Sequence, residues 1–476
     1  MRAAQRIRDP LHDLIEFEDE EFERALWDCI QTPAFQRLRR VRQLGFSELV
    51  YPGATHSRFA HSVGVFHTAR LLMEIIRESE GKERFSRTKS QQALTAALLH
   101  DLGHGPFSHA FESVAKALKL PLVEKHEKVS AELIRSTEIS EILNRELGGG
   151  TANDVALIIE SGGPNNIYDA VVSSQFDADR LDYIRRDRLM TGTQHAGIDF
   201  RWLLANIEVG SVPQGVDQTS LRALPTFILG PKSIHAAEAY ILGLFQLYPT
   251  VYFHKATRSA EVIFSELLFR IHSLTVNSDV KYTGLSEKHP LIKFFKSPSD
   301  ASIFLQLDDA PIWGSLPLLM DARDAAVSDF SRRLFQRKLF KATDCYRKLA
   351  HLKSSEWLKG DIRSRAARAQ IKDGMTSRIK EFHAQHVLSK GQRRILTDAG
   401  ERSPYRKIQE SPGPLNQIHI KMHGGETADI GTKSEIIASI QPFEFFRVYT
   451  AKEDTEAEKF IDKSLKEEIE KHANQL

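Results

Sequence analysis

Cysteine is almost absent from this chain: 476 residues contain two, Cys29 and Cys345. So few thiols argue against a disulfide framework and a thiolate metal cluster, and they suit a reducing cytoplasm. Net charge is also nearly missing, at +2. No global field draws such a protein to nucleic acid or to a membrane, and any electrostatic site must be local. No run of about 18 apolar residues is available to span a bilayer. The start, MRAAQRIRDPLHDLIEFEDEEFE, is charged and lacks the apolar core of a signal peptide. No internal repeat is evident. What is there, 41% hydrophobic and 27% charged residues, reads as soluble and globular. The length exceeds one ordinary core, so two or three packed units are expected.

The pattern predicts a mainly α protein with a smaller mixed α+β C-terminal lobe. Asp9 to Phe17 reads as an extended or hairpin segment, with Pro10 blocking an early helix. Helices are expected over Glu20–Ile30, from Thr32-Pro33 through Val41, Arg58–Glu78, Gln91–Asp101, Glu124–Ser136 and Asp169–Met190. Leu221–Leu229 reads as a strand. Ser233–Leu274 reads as helix divided at Pro249, and Phe330–Leu352 as one basic helix. Beyond about residue 375 short strands are expected at Val387–Asp398, Gln417–Met422, Glu435–Ile440 and Phe445–Tyr449, closed by a helix Thr455–Ala473. These divide the chain at 1–210, 211–375 and 376–476.

The most informative run is ALLHDLGHGPFSH. Ala93 to Leu99 is an apolar helical segment that delivers His100 and Asp101 to its end, just before Gly103. An imidazole and a carboxylate in an apolar setting need a partner, and a divalent cation suits both. Adjacent helical residues diverge by about 100°, so the pair cannot complete a site alone. His61 in HSRFAHSVGV and Asp179 in FDADRLDYIRRD are the candidates to join them. Two imidazoles and two carboxylates suit Fe, Mn, Zn, Ni or Mg better than a structural thiolate site does. A lone buried histidine is ordinarily a hydrogen-bonded core residue; three histidines within HDLGHGPFSH exceed what packing needs.

The ordered motifs TPAFQRLRRVRQLG, HSRFAHSVGV, HDLGHGPFSHAFE, KHEKVS and DADRLDYIRRD resemble those of the HD-domain deoxynucleoside triphosphate triphosphohydrolases. The branch resembled is that of the animal SAM-and-HD-domain enzyme and its bacterial relatives. The likeness runs from about residue 7 to 200, is thinner to 270 and faint afterwards. No SAM region is expected ahead of the body. The resemblance implies an HD-domain helical fold over 1–210, a helical extension to 375 that completes the pocket and subunit contacts, and the small C-terminal lobe. It implies His61, His100, Asp101 and Asp179 as metal ligands. Asp177 is the nearest rival to Asp179, with helix capping as its plain role.

The same resemblance implies His126 as the acid that protonates the leaving oxygen, oriented by Glu112, with His104 beside them. From residue type alone His104, His109 and His126 are all candidates, since histidine titrates near neutral pH. Arg58, Arg180 and His109 are expected at the phosphates. Gln43 and Asp187 are expected at the sugar 3′-hydroxyl, Leu44 beside them, and Tyr183 and Tyr252 against the sugar, where Tyr252 would exclude a 2′-hydroxyl by crowding. Leu244 and Tyr248 stand where the family has an arginine and a histidine near the phosphates, so the phosphate grip is expected to differ. For an effector nucleotide Gln36 and Arg39 match. Gln31, which cannot act as an ionised acceptor pair, replaces an aspartate that reads guanine. An effector site of altered specificity is expected rather than a strict GTP requirement.

The activity implied is hydrolysis of dNTP to deoxynucleoside and inorganic triphosphate, by metal-aided attack of water on the α-phosphorus. Expected partners are dNTPs, an activating nucleotide, and further copies of the chain as a dimer, tetramer or hexamer. The alternatives are an HD-type phosphodiesterase or nuclease, or a nucleotide-sensing protein without turnover. The basic stretches RLFQRKLFKATDCYRK and RSRAARAQIK read first as solvated faces of amphipathic helices, and second as effector or single-stranded nucleic-acid contacts.

Overall fold

The computed structural model describes residues 4–473, apart from 122, 124, 214–222, 353–361, 387–391, 407–412 and 423. These residues form two compact units, each assembled from separated stretches of chain. One comprises 1–247, 297–310 and 404–440, the other 248–296, 311–403 and 441–476. The protein is mainly α, with short sheets in both units.

The first unit opens with an antiparallel hairpin, β1 (Gln5–Asp9) and β2 (Asp13–Phe17). Its turn is shaped by Asp9, whose carboxylate accepts from the Leu11 and His12 amides at 2.9 and 3.0 Å. Helix α1 (Glu21–Gln31) buries Phe22, Ala25, Leu26, Cys29 and Ile30, one helical face. The expected helix from Thr32 to Val41 is instead a short turn, Pro33–Gln36, capped by Thr32, followed by a 3-10 turn, Arg37–Arg40. Arg37 explains the tightening. It is fully buried and donates to the carbonyls of Leu102, His104 and Leu307 at 2.6–2.8 Å.

Helix α2 (Arg58–Arg84) starts at the Ser57 cap and buries every residue from His61 to Phe66, as a central helix covered on all sides must. Helix α3 (Arg87–Leu99) buries Ala93 to Leu99 without a break. His100 ends it, and Asp101 to Gly103 form the turn that follows. Helices α4 (His109–Ala117), α5 (His126–Ser136) and α6 (Ala178–Thr191) add further buried faces to the core. Residue 124, the expected start of α5, lies outside the described residues. The expected helix Asp169–Met190 is corrected. Asn166 caps a single turn, Ile167–Ala170, and the chain leaves the helix before Asp177 caps α6. A four-stranded sheet of Ile207–Pro213, Ala223–Leu229, His419–Lys421 and Thr427–Asp429 closes this unit. Glu435–Ile440, expected as a strand, is helical over Glu435–Ser439 because Ser434 caps it. The expected Leu221–Leu229 strand is present from Ala223; 221 and 222 lie outside the described residues.

In the second unit, helices Lys255–Val276 and Ala325–Phe335 lie with a three-stranded antiparallel sheet whose central strand is Phe443–Thr450. The expected helix Phe330–Leu352 is corrected. It breaks after Phe335, where Arg337 adopts φ 53°, gives the edge strand Lys341–Asp344 and resumes at Cys345–Leu352. The other edge strand is Ile395–Arg402; of the expected Val387–Asp398, residues 387–391 are outside the described ones. The basic stretches carry paired cations. Arg333 meets Asp329, Lys341 meets Glu458, Lys348 meets Asp462 and Arg368 meets Glu444. Such pairing is what solvated amphipathic faces show. Among the described residues no helix is long and apolar enough to cross a membrane.

Candidate metal centre and its histidine–carboxylate neighbour

Three separated segments bring His61, His100, Asp101 and Asp179 together. His61 Nε2 lies 2.9 Å from an Asp179 carboxylate oxygen and 3.8 Å from Asp101. His100 Nε2 lies 3.3 Å from Asp101 and 3.8 Å from Asp179. Two donor atoms each about 2.1 Å from one cation stand about 3 Å apart at a right angle and farther when more open, so these separations match a shared ion. His100 Nδ1 is committed to the Ala97 carbonyl at 2.9 Å, which turns Nε2 inward. Among the described residues, His100 Nε2 is a buried atom with no hydrogen-bond partner. An orphaned ring nitrogen beside two carboxylates fits a divalent cation. The neighbouring Asp177 has the other role expected of it: its carboxylate accepts from the Arg180 and Ser174 amides as the α6 cap.

His61 is also held from its far side. Asp182, three residues after Asp179 and so on the same helical face, accepts from His61 Nδ1 at 2.9 Å. Burial alone would lower the His61 pKa, but the bonds to Asp179 and Asp182, with the charge of Asp101, raise it to about 10. With three carboxylates around it, this corner favours positive charge. Arg58 supplies some, donating to Asp101 at 2.5 Å and to the Ser108 hydroxyl at 2.8 Å. It is buried and engaged with the Asp101 carboxylate. Gly64 allows α2 and α6 to close up, since a Cβ there would strike Asp182 and Arg186. At Gly103 a Cβ would strike the His126 carbonyl and the Ser130 amide. Alanine is incompatible with this packing at Gly103, where the clash is with backbone, and at Gly64 it would displace the Asp182 and Arg186 side chains.

Next to the first group lies a second, formed by His104, His109, Glu112 and His126. The His126 ring stacks on His104 with centroids 3.9 Å apart, and His104 Nε2 is 3.3 Å from Asp101. Both His109 Nδ1 and His126 Nδ1 reach one oxygen of Glu112, at 3.0 and 3.2 Å. The three histidines differ in electrostatics. Burial, then the charges of Arg58 and His126, hold His104 well below its ordinary pKa, so it is neutral. For His126 burial acts downward too, but the Glu112 hydrogen bond and the charges of Glu127, Glu112 and Asp101 prevail, and its pKa is raised. His109 sits at the exposed edge of the group.

Half-buried Gln43 and buried His56 and Asp187 form a third group. Asp187 pairs with His56 at 2.8 Å, the Gln43 amide donates to the His56 carbonyl at 3.1 Å, and Gln43 Oε1 is buried with no hydrogen-bond partner among the described residues. Leu44 leads into the 3-10 turn Gly45–Leu49. Tyr183 has its ring centroid 6.5 Å from that of His61. Arg180 is partly exposed on the first turn of α6. Gln36 donates to the Ile30 carbonyl and accepts from Arg39 Nε at 2.7 Å, while the Arg39 guanidinium lies 3.5 Å over the Phe59 ring. Leu244 is buried in the first unit. Tyr248 and Tyr252 lie in the π-helical turn Tyr248–Tyr252 that begins the second unit.

Sequence reasoning missed Asp182, Arg186, His12, His56, Arg37 and Asp309. Asp309 accepts from the Phe107 and Arg42 amides at 2.6 and 2.9 Å. It thereby fixes Phe107 and Ser108, both at positive φ (54° and 58°), a conformation that costs energy for side-chain-bearing residues. The i, i+3, i+7 spacing of Asp179, Asp182 and Arg186 was a usable signal. Nothing local marked Asp309, which acts over some 200 residues.

A family model for the HD domain matches residues 58–183. An uncharacterized Bacillus subtilis protein, YwfO, is 34% identical over 334 residues, covering 70% of this chain and 70% of that protein. The mouse protein named deoxynucleoside triphosphate triphosphohydrolase SAMHD1 is 28% identical over 337 residues, covering 64% of this chain and 48% of its own length. A crystal structure of a phosphohydrolase from Bacteroides thetaiotaomicron shares the fold, with a TM-score of 0.69 at 24% identity over 94% of this chain and 99% of that one.

Proposed function

Since this chain belongs to the HD-domain hydrolase family, we propose that it cleaves deoxynucleoside triphosphates to deoxynucleoside and inorganic triphosphate. The observation that carries the reading is the junction at Asp101, one carboxylate flanked by His100 and His104, with His104 stacked on the Glu112-paired His126. A cation position and a protonated histidine next to each other are what hydrolysis of a phosphate ester asks for. Relatives named as deoxynucleoside triphosphate triphosphohydrolases support the choice of substrate.

His61, His100, Asp101 and Asp179 would hold a divalent cation, whose chemistry is to polarise a phosphoryl oxygen and make water a better nucleophile. Arg180 and His109 bind the phosphates, and Arg58 keeps Asp101 ionised and aimed. Attack of water on the α-phosphorus forms one P–O bond and breaks the bond to the 5′ oxygen, and the proton that the water loses passes to solvent. His126 gives its proton to that oxygen, and Glu112 keeps the proton on His126 until then. Neutral His104 packs against the His126 ring and limits its rotation. Gln43 Oε1 and Asp187 receive the sugar hydroxyl, and Tyr183 lies against the ring.

Purified protein with Mn or Mg is expected to release triphosphate from at least one dNTP, read by ion chromatography of the products. Pyrophosphate or single phosphate as the first product would reject this cleavage point. The Glu112–His126 pair has its own signature. Without the carboxylate the His126 pKa falls, so the proton is lost at lower pH. Glu112→Gln should therefore move the alkaline limb of the kcat/KM profile to lower pH and cost roughly tenfold in rate. An unshifted limb would remove His126 from the acid role.

A further inference from the structure

Outside the reacting groups, Asp182 is a buried charge of the first unit with four hydrogen bonds. It receives His12 Nε2 at 2.7 Å, His61 Nδ1 at 2.9 Å and Arg186 Nε and Nη2 at 2.7 and 3.0 Å, and it is fully buried. Two of its three partners are tied to the hairpin turn between β1 and β2. His12 sits in that turn, and Arg186 donates across to Asp9 at 2.7 and 3.2 Å. Asp9 in turn shapes the turn by accepting the Leu11 and His12 amides. The hairpin thus holds Asp182 with one charged and one imidazole donor, and Asp182 holds His61. A carboxylate that could swing would let His61 rotate or change tautomer, since the proton on one ring nitrogen decides which nitrogen is left for a metal.

We propose that His12, over 160 residues away in sequence from the carboxylate it touches, is a positioning residue: its Nε2–H locks Asp182 so that His61 keeps its proton on Nδ1 and presents Nε2 towards Asp101 and Asp179. The inference rests on the reading of His61 as a metal ligand. The His12 ring also lies 4.8 Å from His67, so ring packing is the competing explanation, and the choice of variants separates the two. Glutamine can place an amide N–H near the ε position of the histidine ring, whereas asparagine is too short.

The experiment is Mn²⁺ binding to the full, metal-free chain, read from the electron paramagnetic resonance signal of free Mn²⁺. His12→Ala and His12→Asn are expected to bind about 10–100-fold more weakly, and His12→Gln to recover most of the affinity. If His12→Ala does not fold, the His12→Asn and His12→Gln pair decides. Equal Mn²⁺ affinity in wild type and all folded variants, with only the melting temperature changed, overturns the proposal. Equal weakness of the glutamine and asparagine forms overturns it as well, because ring packing would then be the cause. His61→Ala is measured alongside. If it binds Mn²⁺ as well as wild type, the metal reading itself fails. If it loses binding while the His12 variants keep theirs, only the role of His12 fails.

Discussion

His100→Ala is expected to lose both bound metal and turnover, the latter by about 10³-fold or more. The polarising contribution of a cation in a hydrolytic site is several kcal/mol, and each 1.36 kcal/mol is a factor of about ten. His100 is the cleaner of the two residues that name this domain. Its side chain makes one hydrogen bond, to the Ala97 carbonyl, and its inward nitrogen has no protein partner among the described residues. Truncation therefore removes the proposed ligand without stranding a charge. Asp101→Ala should abolish turnover too, but it also leaves buried Arg58 without its carboxylate, which costs about 3 kcal/mol of stability. Metal content by elemental analysis, turnover with all four dNTPs and a melting curve separate these effects. Full metal content and activity in His100→Ala would end the proposed mechanism.

Asp182→Ala is expected to do the larger damage to the fold. The substitution leaves Arg186, fully buried, with Asp9 alone, and it removes the acceptor of both His12 and His61. Breaking a buried charged pair from one side costs about 3–5 kcal/mol, which lowers the melting temperature by about 4 °C in a protein of this size. Metal affinity should fall with it, because His61 loses the group that fixes its proton. Asp182→Asn keeps the shape and should be milder in stability. A variant that melts within a degree or two of wild type would show that this network stabilises little.

Much of the candidate site was legible because its residues sit in short, dense runs. HDLGHGPFSH announces itself by composition, and the apolar run before it shows that the His-Asp pair arrives on a buried helix end. The misread elements share a cause. Asn166 and Asp177 are caps, yet in sequence they sit among residues that would serve a helix interior equally well, so one helix was read where a turn and α6 stand. In Glu435–Ile440 a short apolar run suits strand and helix alike, and the Ser434 cap decides for helix. In Phe330–Leu352 the amphipathic pattern continues through the break, and only the backbone at Arg337 reveals it.

By itself the sequence determined the helical body, the hairpin and the buried helix end that carries the His-Asp pair, because each depends on spacing within one element. The tertiary structure alone decided that 297–310 and 404–440 join the first unit, that Arg37 and Asp309 brace the loop after the His-Asp pair, that His12 grips Asp182 and that Arg186 reaches Asp9. Those bonds link residues from 65 to some 200 positions apart only if every helix between them packs as it does. The desolvation of a buried charge is compensated by whatever the folded chain brings near it, and local spacing carries no record of that partner.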